Sequence, residues 1–436
     1  MPPPPPGPKG EILGRLNFAT WRADPLEFLA SLAKRYGDVV GFDLGRSPGI
    51  LVNGAAAVRA LFFERDGCLR KPEFVKDSNR GHWGDGLTTL EGIEWQTRRR
   101  LLRPSFTTRA VAARLPIVAE CAAEMLDRWA AGADAARELR ILTARIAARM
   151  VLDADVQGYG AGVPCSALLP MDEAYGEDYA SMPGGDPTAR LIMTRPRAPR
   201  RMDTVLAIVE NRIAGGEPRD DTLSALIKAR LPDGGRLTRE EIIGEVIQML
   251  YAGHLTIPAV LTAFWRDVAG TAAAAAIAAE AEQMCATGVP EPAAVSRSYC
   301  LAALRESMRL HPPAPILYRE VDVPFELGGY AFARDVAVWV SPRLLHLDKR
   351  YFPDPHCFRP ERFIKGGLAG ASASVYLPFG VGPRACIGNQ LAAHQMVVIA
   401  LLAARRFTPA WIGNRLGQDP AARSGSYYLT DPGDAT

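Results

Sequence analysis

Apolar residues spaced three and four positions apart dominate this chain and predict a mainly helical protein. In residues 25–36 this spacing places Phe28, Leu29, Leu32 and Tyr36 on one helix face. Similar spacing, or in one case a run of alanines, predicts further helices at 94–103, 108–130, 239–268, 271–284, 297–311 and 387–404. The predicted fold class is therefore mainly α, which leaves room for only a small β-rich part.

Short apolar and β-branched runs predict the strands of that small part. They lie at 39–44, 49–53, 316–321, 325–332 and 336–341, and a further strand pair is expected to close the chain.

Three segments have no clean period. Residues 157–200 are rich in Gly, Pro and Met, and an irregular segment of this length is typical of a lid over a binding site. The proline-rich start predicts an extended tether over residues 1–20. Residues 342–385 also carry many Gly and Pro. Because no internal repeat or linker occurs, we expect one domain over residues 1–436.

Composition excludes several classes of protein. The 436 residues are 48% hydrophobic and 23% charged, which is ordinary globular usage. Lys+Arg 51 against Asp+Glu 48 gives a net charge of +3, so nothing favours nucleic-acid binding. The chain contains no run of eighteen or more apolar residues, so no membrane span is predicted. Seven widely spaced cysteines without a CxxC pair, and the lack of a signal peptide pattern, predict a protein of the reducing cytoplasm. A monomer is also expected.

The most informative segment surrounds Cys386. Gly380 and Gly382 permit a tight turn that can approach a flat ligand. Cys386 directly precedes the last predicted helix, whose dipole and free amide groups would stabilise a thiolate. Arg384 adds a positive charge nearby. The alternative is a structural cysteine buried in a glycine-rich turn.

Five fixed positions decide between these interpretations. Phe379, Gly382, Arg384, Cys386 and Gly388 match the pattern FxxGxRxCxG, so the chain resembles the haem-thiolate proteins of the cytochrome P-450 superfamily. The resemblance implies the cytochrome P-450 fold, a triangular helical prism around haem b. It also implies that Cys386 is the axial iron ligand.

Two further matches concern structure. Glu306 and Arg309 give the family's ExxR spacing, which places both side chains on one helix face. Residues 358–363 resemble its FxPERF element. The resemblance implies a buried charged triad of Glu306, Arg309 and Arg362.

Other matches concern the haem carboxylates. Trp95 and Arg99 give WxxxR on one helix, and the resemblance implies that both contact the haem propionates. Without the resemblance, a core Trp beside an exposed Arg would explain the pair. Arg319 and Arg384 are the other implied propionate partners, since guanidinium groups suit carboxylates.

The predicted helix at 239–268 carries the implied oxygen site. Helical spacing puts Met249, Ala252, Gly253 and Thr256 on one stripe. The small residues would let the helix approach a macrocycle, and Thr256 would hydrogen-bond oxygen and relay protons. The alternative for Thr256 is a back-bond to the Ala252 carbonyl.

This helix departs from the family at Leu255, where a carboxylate is usual. Pro258 is expected to bend or open the helix. His254 is interpreted as a packing or surface residue. Glu245 is the best local proton source, although a solvated helix residue is the slightly favoured alternative.

The implied function is oxidation of a mostly apolar small molecule, by hydroxylation or epoxidation, in secondary metabolism. A separate ferredoxin or flavodoxin would supply the electrons, and Arg98, Arg100 and Arg103 could form its basic docking patch. Two alternatives remain: coupling, desaturation or rearrangement without oxygen insertion, and a haem sensor without turnover. The expected pocket walls are 70–90, 165–200, 245–256, 312–318 and 424–430.

Overall fold

The structure is a computed structural model that describes two stretches of the chain, 2–154 and 203–416. Within them, residues 46, 74–75, 78–79, 81–83, 255, 287 and 365–373 are not described. The described chain forms two compact units. The first takes in residues up to 78 and from 308 to 386, and the second takes in the remainder.

Helices make up most of the described chain. They are α1 (Glu11–Ala23), α2 (Pro25–Tyr36), α3 (Ala55–Arg59), α4 (Gly92–Leu102), α5 (Thr108–Ala130), α6 (Ala135–Leu152), α7 (Asp203–Ile213), α8 (Thr222–Lys228), α9 (Arg239–His254), α10 (Thr256–Val268), α11 (Ala272–Met284), α12 (Pro292–Val295), α13 (Tyr299–Leu310), α14 (Pro342–His346), α15 (Asn389–Arg406) and α16 (Pro409–Leu416).

The strands are few and short. They are β1 (Val39–Leu44), β2 (Ser47–Val52), β3 (Leu69–Arg70), β4 (Leu317–Val321), β5 (Phe325–Leu327), β6 (Tyr330–Phe332) and β7 (Ala337–Val340). Five of them form a sheet of order β1-β2-β7-β4-β3, in which only β2 and β7 run parallel. The other two form the hairpin β5–β6.

The sheet carries the core of the first unit. Phe42 on β1 meets Trp339 on β7 edge to face, with ring centroids 5.2 Å apart, and Phe28 of α2 packs on Phe42 at 5.7 Å. Such aromatic pairs combine a large buried area with a defined geometry.

The N-terminal segment differs from the predicted tether. Residues 11–20 of it lie in α1, so an extended tether is wrong for that half. Helix α1 is held by Trp21, which is buried and meets Trp339 at 6.0 Å. The preceding segment runs along the sheet edge: the amides of Gly41 and Asp43 on β1 donate to the carbonyls of Pro6 and Pro8 at 2.8 and 3.4 Å.

The second unit is built from helices. A single apolar cluster joins α6, α7, α8 and α9 around residues such as Ile141, Val209, Leu226 and Val246. Among the described residues, the helix Arg239–Val268 is long and apolar enough to cross a membrane, and so are α15 and α16 if taken as one bent pair. Since 65% of the apolar window in Arg239–Val268 is buried in the protein, we interpret it as a core helix.

Most predicted elements are confirmed to within a few residues. The predicted strand at 325–332 is wrong as one strand, because Gly328 and Gly329 have φ of 61° and 80° and reverse the chain into the hairpin β5–β6. Residues 409–416 form α16, a helix that the sequence patterns did not predict. The strand pair expected to close the chain stays a prediction. Both the remaining C-terminal residues and the predicted lid at 157–200 lie outside the described residues. The expectation of one domain over 1–436 stays a prediction.

Candidate active site

The turn before Cys386 presents its thiol to the surface of the first unit. The amide of Cys386 donates to the carbonyl of Phe379 at 2.8 Å, and the thiol-bearing residue is exposed. Gly382 has a φ of 71°, and a Cβ there would lie 2.7 Å from the Phe62 carbonyl oxygen. Glycine is therefore required at 382 for both conformation and space.

The charge of Arg384 and the start of helix α15 both favour a thiolate at Cys386. The partly buried Arg384 lies two residues before Cys386, and α15 begins three residues after it. The N-cap residue of α15 is Gly388, and the Gln390 amide donates to Asn389 Oδ1 at 2.6 Å. The positive end of a helix dipole and a nearby guanidinium group both lower the cost of a negative charge.

Arg319 lies on β4 in the same unit. Its guanidinium carbon is 5.3 Å from the centroid of the Phe62 ring, the residue whose carbonyl limits space at Gly382. Its Nη1 donates to the Tyr318 carbonyl at 2.7 Å. The structure therefore brings Arg319 and the Cys386 turn together around Phe62.

Arg309 and Arg362 are buried and serve backbone carbonyls. Arg309 Nη1 donates to the carbonyls of His346 and Pro355 at 2.8 and 2.7 Å. Arg362 Nη2 donates to the Asp354 carbonyl at 2.9 Å. Both guanidinium groups thus fix backbone between residues 346 and 357.

Glu306 completes the predicted triad in sequence. It is fully buried on α13, three residues before Arg309, and the structure assigns it to the second unit. The triad of Glu306, Arg309 and Arg362 stays a prediction. The burial of all three fits it, because a charge can be buried only where it is paired.

His346 is a structural residue that sequence reasoning missed. Its Nδ1 contacts the Arg309 carbonyl at 3.1 Å, and the Leu377 amide donates to its Nε2 at 2.8 Å. The Nδ1–H tautomer is the one that satisfies both bonds. Burial, together with the nearby Arg309 and Arg343 charges, lowers the pKa of His346 to about 3. A neutral imidazole therefore ties the end of α13 to the start of the Cys386 turn, and a lone His in the sequence gave no signal of this.

Trp95 and Arg99 lie together on α4 in the second unit. Arg99 places its guanidinium carbon 5.7 Å from the centroid of the Trp95 ring. Trp95 is buried and Arg99 is partly buried. The alternative interpretation, a core Trp beside an exposed Arg, therefore does not describe this pair. The cation–π contact orients the guanidinium group.

Arg98 and Glu245 correct two predictions. Arg98 is buried and donates to Glu241 at 2.6 Å and to Glu245 at 3.1 Å, so it cannot belong to a surface patch. Glu245 has no exposed surface, so the favoured alternative of a solvated residue is wrong. Its carboxylate is engaged in a buried ion pair with Arg98.

The predicted oxygen stripe is the least buried face of its helix. Ala252 is exposed and Met249, Gly253 and Thr256 are partly buried, whereas neighbours such as Leu250 are buried. Among the described residues the Thr256 hydroxyl makes no hydrogen bond, so the back-bond to the Ala252 carbonyl is absent. Leu255 lies outside the described residues.

The two residues after Ala252 pack against α6. A Cβ at Gly253 would lie 3.0 Å from the Ala147 Cβ, so glycine permits a close helix contact. His254 is buried, as a packing residue should be, and its Nδ1 contacts the Leu250 carbonyl at 2.8 Å. The small residue at 253 therefore serves helix packing as well as any approach of a ligand.

Gln248 is a second residue that sequence reasoning missed. Its Oε1 accepts bonds from the amide and the hydroxyl of Thr88, both at 2.9 Å, and its Nε2 donates to the Gly84 carbonyl at 2.9 Å. One side chain thus fixes the segment 84–90, part of the predicted pocket wall, against α9.

The donor groups fit haem chemistry. Cys386 offers one exposed thiol to iron. Arg99, Arg319 and Arg384 are partly buried guanidinium groups that suit the two carboxylates of the macrocycle. Ala252 is exposed, whereas the other residues from 241 to 254 on this helix are buried or partly buried.

Comparisons with known proteins agree with this chemistry. A family model described as Cytochrome P450 matches residues 2–154 and 200–415. Cyclooctatin synthase of Streptomyces melanosporofaciens is 31% identical over 84% of this chain and 81% of that protein. Cyclooctat-9-en-7-ol 5-monooxygenase of the same organism is 28% identical over 91% of this chain and 87% of that protein.

A solved structure supports the fold. The retinoic acid-bound cyanobacterial CYP120A1 superposes with a TM-score of 0.75 at 22% identity, covering 93% of this chain and 92% of that one. The predicted mainly α fold with a small β-rich part is thereby confirmed.

Proposed function

The chain belongs to the cytochrome P450 family and is a haem-dependent monooxygenase-type oxidoreductase, and from this premise we propose that it inserts one oxygen atom into a mostly apolar small molecule of secondary metabolism. The observation that carries the proposal is the exposed Cys386 in a glycine-dependent turn. A cytoplasmic location, and a separate ferredoxin- or flavodoxin-type electron donor, belong to the same proposal.

The protein's own residues would divide the work as follows. Bound haem supplies oxygen activation through its thiolate-ligated iron. Cys386 would ligate the iron, and its amide donates to the Phe379 carbonyl at 2.8 Å. Arg99, Arg319 and Arg384 would bind the two carboxylates of the cofactor.

Proton supply would rest on Thr256 and on water or substrate. The Thr256 hydroxyl has no partner among the described residues, so it is available to hold a proton or a water at its Oγ1. Glu245 is committed to Arg98. A hydroxyl group on the substrate could provide what the missing carboxylate at Leu255 provides elsewhere in the family.

The relatives suggest a substrate class. One is named for acting on cyclooctat-9-en-7-ol, whose name denotes an alcohol with a double bond. We propose a substrate of this class for this chain, because its alcohol combines a largely apolar body with a group that can carry a proton.

Product analysis tests this function. With cyclooctat-9-en-7-ol, a ferredoxin, its reductase, NADPH and ¹⁸O₂, we expect a product that is heavier by one ¹⁸O atom by mass spectrometry. The Cys386→Ala variant is the matched control and should give none. Loss of two hydrogens would favour desaturation, and substrate that binds unchanged would favour a sensor.

The electron donor should dock on exposed arginines. Arg100 and Arg103 lie at the end of α4 and just after it, and among the described residues neither pairs with a carboxylate. Charge reversal of both to Glu should slow reduction by an acidic ferredoxin about tenfold at low ionic strength, and less in high salt. Stopped-flow kinetics would measure this.

A matched control exists in the same unit. Arg230 and Arg236 are also exposed, so their reversal to Glu makes the same change in net charge elsewhere. Equal rates for both double variants would remove the docking proposal.

A further inference from the structure

The helix over residues 239–268 contains Pro258, four residues after His254. In a regular helix the amide of residue 258 would donate to the carbonyl of His254, but Pro258 has no amide hydrogen. His254 and Pro258 are both buried, so water has little access to this carbonyl. A buried carbonyl without a donor is costly.

Thr143 of α6 supplies the missing donor. Its hydroxyl lies 3.1 Å from the His254 carbonyl oxygen, and 3.0 and 3.3 Å from the carbonyls of Arg140 and Leu139 on its own helix. Thr143 has no exposed surface. Its single hydroxyl hydrogen can serve the His254 carbonyl, to which Pro258 has no amide hydrogen to donate, whereas the carbonyls of Leu139 and Arg140 have amide donors within α6.

A second contact fixes the same place. One turn along α6, Ala147 lies so close to Gly253 that a Cβ on the glycine would be 3.0 Å from the Ala147 Cβ. Thr143 and Ala147 therefore hold two successive residues of α9, Gly253 and His254. Together they set both the distance and the rotation of the helix end that leads into Thr256.

We propose that Thr143 is a positioning residue for Thr256. By donating to the His254 carbonyl it fixes the helix one turn before Pro258, and with it the direction of the Thr256 hydroxyl two residues after His254. This inference rests on the proposed role of Thr256 in proton supply.

The test replaces the hydroxyl with a methyl group. In Thr143→Val holoprotein, hydrogen exchange in a peptide covering residues 250–262 should be about tenfold faster, because the helix loses its fixed point. The share of reducing equivalents lost as peroxide should at least double, while the carbon monoxide spectrum stays that of the wild type. Thr143→Ser keeps the hydroxyl and should restore both values.

A matched control lies on the other side of α6. Thr222 is 2% exposed, and its hydroxyl donates across to the Met150 carbonyl of α6 at 3.3 Å. Thr222→Val removes an equivalent buried bond away from Thr256, and should leave exchange at 250–262 and peroxide release unchanged.

Each outcome decides the proposal. Faster exchange with more peroxide, rescued by serine, supports it. Unchanged exchange overturns it, and faster exchange without a change in peroxide shows that Thr143 does not position Thr256. The Thr256→Ala variant separates the proposed function: if it too leaves peroxide unchanged, the role of Thr256 fails, and the exchange result alone still decides whether Thr143 fixes the helix.

Discussion

Replacing Cys386 with alanine should abolish both turnover and the carbon monoxide band typical of thiolate ligation in the reduced protein. The turn holds one exposed thiol, and an alanine there leaves no sulfur for iron. A neutral ligand or water would give a different spectrum, and the electron push that favours O–O cleavage would be lost.

Cys357 provides the matched control, since it is also exposed and lies in the same unit. The Cys357→Ala variant should keep the band and the activity. If the Cys386→Ala protein kept the thiolate band, the assignment of the axial ligand would be wrong.

Acid should destabilise this protein through His346. Its pKa is about 3 in the folded state and near 6.5 in the unfolded chain, because burial disfavours the imidazolium. Above pH 6.5 the imidazole is neutral in both states. Below it only the unfolded chain gains the proton, so stability falls by about 1.4 kcal/mol per pH unit until about pH 3. From pH 6.5 to pH 5 this residue alone should cost about 2 kcal/mol.

The measurement is urea unfolding of the holoprotein at several pH values. His346→Gln retains an amide donor and an acceptor for the Arg309 carbonyl and the Leu377 amide, but it does not titrate. From pH 6.5 to pH 5 the free energy of unfolding of this variant should fall by about 2 kcal/mol less than that of the wild type. His356 is exposed, and His356→Gln should show the wild-type pH dependence. Equal slopes for all three proteins would contradict the role of His346.

Sequence reasoning succeeded where a pattern is local and periodic. The helix at 108–130 was predicted with the bounds of α5, Thr108–Ala130, because its apolar face repeats through six turns. The turn at Gly382 was also predictable, since glycines mark backbone that other residues cannot adopt. The roles implied for Arg99, Arg319 and Thr256 came from a resemblance and stay predictions.

Failures arose where burial depends on partners distant in sequence. Glu245 looks like a solvated residue on its own helix, and only the packing of α4 against it brings Arg98 within 3.1 Å. His346 is linked to Leu377, 31 residues away, and nothing local to either residue shows this. The start of α1 was obscured by the prolines before it, whose extended conformation was carried too far along the chain.

Those prolines also protect the sheet against unwanted self-association. Strand β1 stands at the edge of the sheet, where free amides invite a strand from another molecule to add. The carbonyls of Pro6 and Pro8 occupy the outward amides of Gly41 and Asp43, and proline has no amide of its own to offer to a newcomer. The segment therefore ends the hydrogen-bonded ladder of the sheet. A strand from another molecule cannot pair with the Gly41 and Asp43 amides of β1 while the proline carbonyls occupy them.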